Sequence, residues 1–355
     1  HLQEMGFSEM RSRRALLFAR GDTAAAMEWI LQQDFDDVGL EAPLSEAELA
    51  SATQGLCEDL SESSLLAARD AWWSAREPWR RAEVIRFGPT IDYPLRLGPK
   101  MDVWPVNPSA VEAMIDGDEP LGGGDFAAKG GAKRGFPVIE YLLWGPEPGG
   151  TLEGLSADPR RCQAVAGASV DLATNAELLR TAWEEDWVSY LSEPTTHPDG
   201  PYANHQEILD EWVNRMAFTT ENIRITKLGK PNGDAAGGLP QLDIIESPYS
   251  KRSFQDARDA LRGVRDVWTG EVGEGTEGIR DLVRAFETIQ LIEGRLEEAE
   301  GALAALTGDL GAVILDDPES ITTAQEPLRL LQVAIQVDLA AALDTTLAFN
   351  DADGD

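Results

Sequence analysis

From Ser45 onward apolar residues recur every three or four positions, the spacing of helices that bury one face. "ELASATQGLCEDL" is a short run of this kind. "SSLLAARDAWWSAREPWRRAEVIRF" is a long one, with Leu65, Ala68, Trp72, Ala75 and Trp79 on one side. Pro78 falls inside that pattern, where its ring and missing N–H predict a kink. A proline-rich loop, "IDYPLRLGPKMDVWPVNPS", follows, then a helix at "AVEAMIDG" and a glycine loop, "LGGGDFAAKGGAKRG". That loop lacks the G-x-x-x-x-G-K-[ST] spacing of a phosphate cradle. Helical runs resume at "RGFPVIEYLLWG" and "RRCQAVAGASVDLATNAELLRTAWEEDW", and the polar stretch "LSEPTTHPDGPYANHQ" sets off a second half.

The second half repeats part of the first. "ARDAWWSAREPW" (68–79) and "ARDALRGVRDVW" (257–268) place alanine, Arg-Asp-Ala, a later arginine and tryptophan in one register. The match predicts a duplicated helical bundle, and two bundles facing each other leave a cleft where ligands bind. Before Ser45, residues 1–35 carry three short amphipathic patterns broken at Gly6 and at Arg20-Gly21-Asp22. Residues 36–44 read as a linker ending at Ser45, a helix N-cap. The expected units are therefore 1–35, the linker 36–44, and two bundle halves at 45–195 and 196–350.

Composition narrows the function. Acids number 63 against 30 lysines and arginines in 355 residues, a formal charge of -33. Such a surface repels phosphate backbones, so no nucleic-acid partner is expected. No apolar run is long enough to span a bilayer. Residue 1 is histidine and no signal peptide is visible, so the chain reads as a mature or trimmed form. Cys57 and Cys162 have no metal-like spacing; a disulfide and two buried thiols both remain open. With three histidines, no HExxH and no G-x-S-x-G, hydrolytic chemistry has few actors.

The candidate chemistry centres on "KRGFPVIEYLLWG" (133–145), where Glu140 stands one helical turn from Pro137. Positions three apart share a helix face, so a histidine at 137 would share a metal with Glu140. Proline offers no donor, yet it suits a first helical turn. "GFPVIE" resembles the G-x-H-x-x-E signature of the imelysin family. "AREPWRRAEVIRFGP", "MDVWP", "RGFPVIEYLLWG" and "KLGKPNG…IIESPYSKRSF" resemble that family's blocks in order, covering about 45–345. The resemblance implies two helical bundles, usually secreted, periplasmic or lipoprotein-anchored, linked to iron uptake or regulation, with some members described as peptidases. Gly135 and Glu140 carry over; Pro137 stands in the histidine's place.

The same resemblance puts Glu83, Asp102 and Arg134 in matching blocks that face one cleft. A carboxylate site of Glu140, Glu83 and Asp102 would take a divalent cation, though no cofactor is fixed by the sequence. The bland reading is a buried ion pair of Glu140 with Arg134 or Arg76. Arg76, Arg134, Pro137, Trp104 and Glu246 are expected to line the cleft, and Ser250 or Ser253 to cap the helix that follows. Residues 1–35 resemble a ubiquitin-associated (UBA) domain through Met5-Gly6-Phe7 and "AMEWIL". That resemblance implies a ubiquitin surface of Met5, Gly6, Phe7 and Leu31. The expectation is an all-α, imelysin-like extracytoplasmic protein that binds a small ligand or metal ion, with no catalytic residue assigned. The alternatives are a metal-dependent peptidase and a ubiquitin-binding adaptor.

Overall fold

A computed structural model describes residues 45–270 and 276–348. The UBA-like unit and the linker lie outside the described residues. Within them every regular element is helical. We number the helices of nine residues or more: α1 Ser45–Glu58, α2 Glu62–Arg81, α3 Pro108–Asp116, α4 Phe136–Trp144, α5 Pro159–Ala182, α6 His205–Glu221, α7 Ser253–Thr269, α8 Phe286–Ala305 and α9 Pro318–Ala334.

Several starts are set by side chains that take up orphan backbone N–H groups. Ser61 and Ser64 cap each other reciprocally at the head of α2, and Asn107, Asp158 and Asn204 cap α3, α5 and α6. Helix α7 stops at Gly270, whose φ of 71° suits glycine. Pro78 does not end α2, which runs on to Arg81 before a 3-10 turn at Ala82–Ile85. Helices α5 and α6 continue into π turns at Trp183–Trp187 and Asn222–Gly229, a distortion that recurs at functional sites.

Two hydrophobic cores form. Leu49, Leu65, Trp72, Ile139 and Val165 meet among α1, α2, α4 and α5. Val213, Leu261, Ile292 and Leu328 meet among α6 to α9. Val84, just beyond α2, belongs to the second core, so the end of α2 enters the other half. Cys57 and Cys162 form a disulfide between α1 and α5, which resolves the choice the sequence left open.

The halves meet where α2 packs on α7. A Cβ on Gly263 would sit 2.0 Å from the Arg81 carbonyl oxygen, so this approach requires glycine. The ion pairs Arg81–Asp266 (2.7 Å) and Arg262–Glu77 (3.4 Å) also join these helices. Arg69 and Arg258, at equal places in the two matched segments, act alike. Arg69 donates to the carbonyl of Leu143 at the end of α4 and to that of Gly150 in the loop after it. Arg258 donates to those of Leu303 and Leu306 at the end of α8. Each guanidinium satisfies at least one carbonyl that a helix end leaves unpaired.

Candidate functional site

Arg76 and Arg80 lie one turn apart on α2, on the side that faces the second half. Arg76 reaches Asp102 (2.9 Å), Glu246 (2.9 Å) and Asp256 (3.3 Å). Arg80 reaches Glu83 (2.8 Å), Glu246 (2.8 Å) and Asp102. Lys227, from the π turn after α6, contacts Glu246 (2.5 Å) and Glu83 (3.1 Å). Arg252 pairs with Asp256 and, at 2.7 Å, Asp259. Four cations thus face five carboxylates in one buried network, every side chain no more than 5% exposed. Charges this deep are tolerated only when paired and hydrogen-bonded.

Neutral donors complete the pairing. The Trp79 indole donates to Asp102 (2.7 Å), Asn222 to Glu83 (2.5 Å) and Ser247 to Asp256 (2.5 Å). Burial works against ionisation of Glu246, but Arg80, Lys227 and Arg76 outweigh it and hold the carboxyl down at about 2. Glu83 is likewise low: burial opposes its charge, and Lys227 and Arg80 prevail. Burial, and then Arg76, lower Arg80.

Gly135, Pro137 and Glu140 are held differently. Gly135 precedes α4 with φ 80°, and a Cβ there would lie 2.1 Å from the Met101 carbonyl oxygen, so only glycine fits. Pro137 occupies the first turn of α4. Glu140 Oε1 accepts from the backbone N–H groups of Tyr249 (3.1 Å) and Ser250 (2.8 Å) and from Ser250 Oγ (2.7 Å). The turn that supplies these donors carries two non-glycine residues at positive φ, Ser247 and Lys251. Burial pushes the Glu140 carboxyl up to about 7, against the lowering effect of the Ser250 bonds and Arg76. A cavity of only about 10 Å³ opens beside Pro137, Glu140, Arg76 and Trp104, about the space of one water molecule.

A larger cleft, about 500 Å³, lies on the other side of Asp102 and Trp104. Trp79, Trp104, Trp183, Arg80, Glu83 and Arg86 are among its lining residues. A second cavity of about 220 Å³ shares Glu83 and Arg86 with it.

The expected site residues separate accordingly. Glu83 and Asp102 are brought together, but through Arg80; Glu140 meets Ser250 instead. Among the described residues no group of three His, Cys, Asp or Glu side chains is arranged to hold a metal ion, because guanidinium and ammonium groups already occupy the clustered carboxylates. Glu140 does not pair with Arg134, which binds Asp171 of α5 (2.8 Å through Nε) and is absent from the cleft wall. Trp104 lines both cavities, Arg76 and Pro137 only the small one, and Glu246 lies within the charge network. Neither serine caps α7, whose N-cap is Arg252 without a side-chain bond; Ser250 serves Glu140, and Ser253 donates to the Glu246 carbonyl (2.5 Å). Sequence reasoning missed Arg80, Lys227, Asp256 and Arg252. The spacing of Arg76 and Arg80, four apart on one predicted helix, was the available signal.

Comparison with known proteins accords with this architecture. The family model described as "Peptidase_M75: Imelysin" matches residues 44–337, and one for a UBA-like domain matches residues 1–38. Iron-regulated protein A of Synechococcus elongatus is 25% identical over 234 residues, 64% of this chain and 59% of that protein. The chain therefore spans less than two thirds of that relative's length. A crystal structure described as an iron-regulated protein A precursor, from Parabacteroides distasonis, superposes with a TM-score of 0.71 at 18% identity, covering 84% of this chain and 89% of that one. An imelysin-like protein from Psychrobacter arcticum gives 0.70 at 18% identity, with 86% and 90% covered. At that identity the structures speak to fold; the match over most of the chain does more, and on it this chain belongs to the imelysin family.

Proposed function

We propose that the protein is a non-peptidase binding protein working outside the cytoplasm, in the periplasm or at the cell surface, in the handling of iron. The observation that carries this reading is the state of the signature position. Pro137 donates nothing to a metal, Glu140 is already engaged by three donors, and the space beside them is water-sized. The fold keeps its architecture there while the chemistry of metal-assisted hydrolysis loses its ligand. The Cys57–Cys162 disulfide supports an oxidising compartment, and the link to iron rests on the name of the Synechococcus relative.

Two measurements test it. Unfolded casein incubated with the protein and divalent metals should remain intact, and cleavage that a chelator stops would overturn the non-peptidase reading. In the native host, protein abundance should rise under iron starvation; unchanged abundance would sink the link to iron.

A second reading has one specific observation behind it, the UBA-like match at residues 1–38. On that reading the leader docks ubiquitin or a similar protein. Full-length protein should then retain ubiquitin on a column, and Met5→Ala or Phe7→Ala should abolish retention; no retention by the wild type removes the reading.

A further inference from the structure

The approximately 500 Å³ cleft has features that the charge network does not account for. Arg80 lines it, is 4% exposed, and its Nε has no hydrogen-bond partner. Trp183 also lines it, and its buried indole Nε1 is likewise unpartnered. Native proteins rarely leave buried polar groups unmet, and three of those without a hydrogen bond among the described residues, the Arg80 and Trp183 donors and the Asp102 Oδ1 acceptor, belong to residues of this one wall. Arg86 adds an exposed guanidinium on the same wall. It forms no ion pair with the described residues.

The charges on the wall favour an anion over a cation. The oxygens of Glu83 and Asp102 already face Arg80, Lys227 and Arg76, so a cation would have to displace those groups. The remaining wall carboxyl, Glu46, is buried, and burial raises its pKa above the ordinary carboxylate value. Around these donors stand three indoles, Trp79, Trp104 and Trp183, which give the wall aromatic surface for a ring; one face of Trp79 is already stacked on Phe136. The volume lies within the range of small-molecule sites. Trp183 opens one π turn, and the other supplies Asn222 and Lys227 to Glu83, so both distorted segments border this region.

We propose that this cleft, and not the signature position, is the ligand site, and that it takes a ring-bearing organic carboxylate. The carboxylate meets Arg80, Arg86 and the Trp183 N–H, and the ring lies among the indoles. The inference rests on the binding-protein reading and adds the ligand class to it. An aromatic acid arrives either free or as its ferric complex, and the chemistry at the wall is the same for both.

Tryptophan fluorescence and calorimetry on the full chain test it with benzoate, with 2,3-dihydroxybenzoate in the presence and absence of ferric ion, and with inorganic phosphate. At least one ring carboxylate should quench saturably, phosphate should not, and the two dihydroxybenzoate arms show which form is preferred. Arg86→Ala should weaken binding about 10-fold, whereas Arg262→Ala, an exposed arginine that does not line the cleft, should leave it unchanged. Because Arg86 is exposed, its loss does not threaten folding. No saturable quenching by any ring carboxylate, equal binding of phosphate, or indifference to Arg86→Ala would each overturn the assignment. Casein cleavage would defeat the binding-protein reading whatever the fluorescence result. Intact casein without quenching would defeat the ligand assignment alone.

Discussion

Arg76 on α2 and Arg265 on α7 occupy the same place in the two matched segments, three residues before a tryptophan. Arg76 is 1% exposed and meets three carboxylates, two of them from the other half of the chain. Arg265 is 28% exposed at the side chain and pairs with Glu300 of the neighbouring α8. The tryptophans diverge in the same way: Trp79 lines the cleft and donates to Asp102, while Trp268 is sealed in the second core. Yet Arg69 and Arg258, about two turns earlier in each segment, do the same job. What differs is therefore not the helix but what the loops carry to it. Asp102 ends a short turn between α2 and α3, and Glu246 comes from the loop before α7, whereas Arg265 meets Glu300 of the neighbouring helix.

The largest effect should separate the two arginines. Arg76→Met takes one buried counter-charge from each of Asp102, Glu246 and Asp256, leaving Arg80, Lys227 and Arg252 to face more negative charge than they balance, and should cost about 3–5 kcal/mol in urea unfolding. Arg265→Met removes a rim pair and should cost less than about 1 kcal/mol. Equal losses would erase the distinction between site and scaffold.

A pH dependence should belong to the first bundle's contact with the 247–251 turn. Burial raises Glu140 from an ordinary 4.5 to about 7. Between those values the folded protein holds a proton that the unfolded chain has released, so stability falls as pH climbs through that window. Glu140→Gln keeps an oxygen for Ser250 to donate to and cannot titrate. Its unfolding free energy should lose that slope, by at most about 3 kcal/mol across the window. An unchanged slope in the variant would show that Glu140 is ionised throughout.

The smallest effect tests the similarity. Arg69→Met and Arg258→Met each leave backbone carbonyls, helix-end ones among them, without a donor and should cost about 1–2 kcal/mol apiece. A clear inequality between them would mean that shared register does not bring a shared structural role.

The helices were largely legible because apolar spacing and cap residues are local: the α2 face of Leu65, Ala68, Trp72 and Ala75 is buried as its period requires. The site was less so. Glu83, Asp102 and Glu246 do share one network with Arg76, but Arg80 and Lys227 join it through contacts between the halves, which no local pattern encodes. Arg134 was placed by its neighbours in sequence, and its partner, Asp171, lies on another helix. Ser250 and Ser253 sit where helix caps usually sit, but the positive-φ turn before α7 directs their hydroxyls to Glu140 and to the Glu246 carbonyl.

The Cys57–Cys162 bond closes the chain between those residues into a covalent ring. Arg76, Arg80, Glu83, Asp102, Pro137 and Glu140 all belong to that ring, whereas Lys227, Glu246 and Asp256 are held to it only by charge and packing. A single backbone cut in the glycine-rich stretch 122–131 would leave one molecule with its half of the site still tethered at both ends. Outside a cell, where proteases are abundant and disulfides persist, a nicked protein of this kind can go on working, and only reduction would let the pieces part.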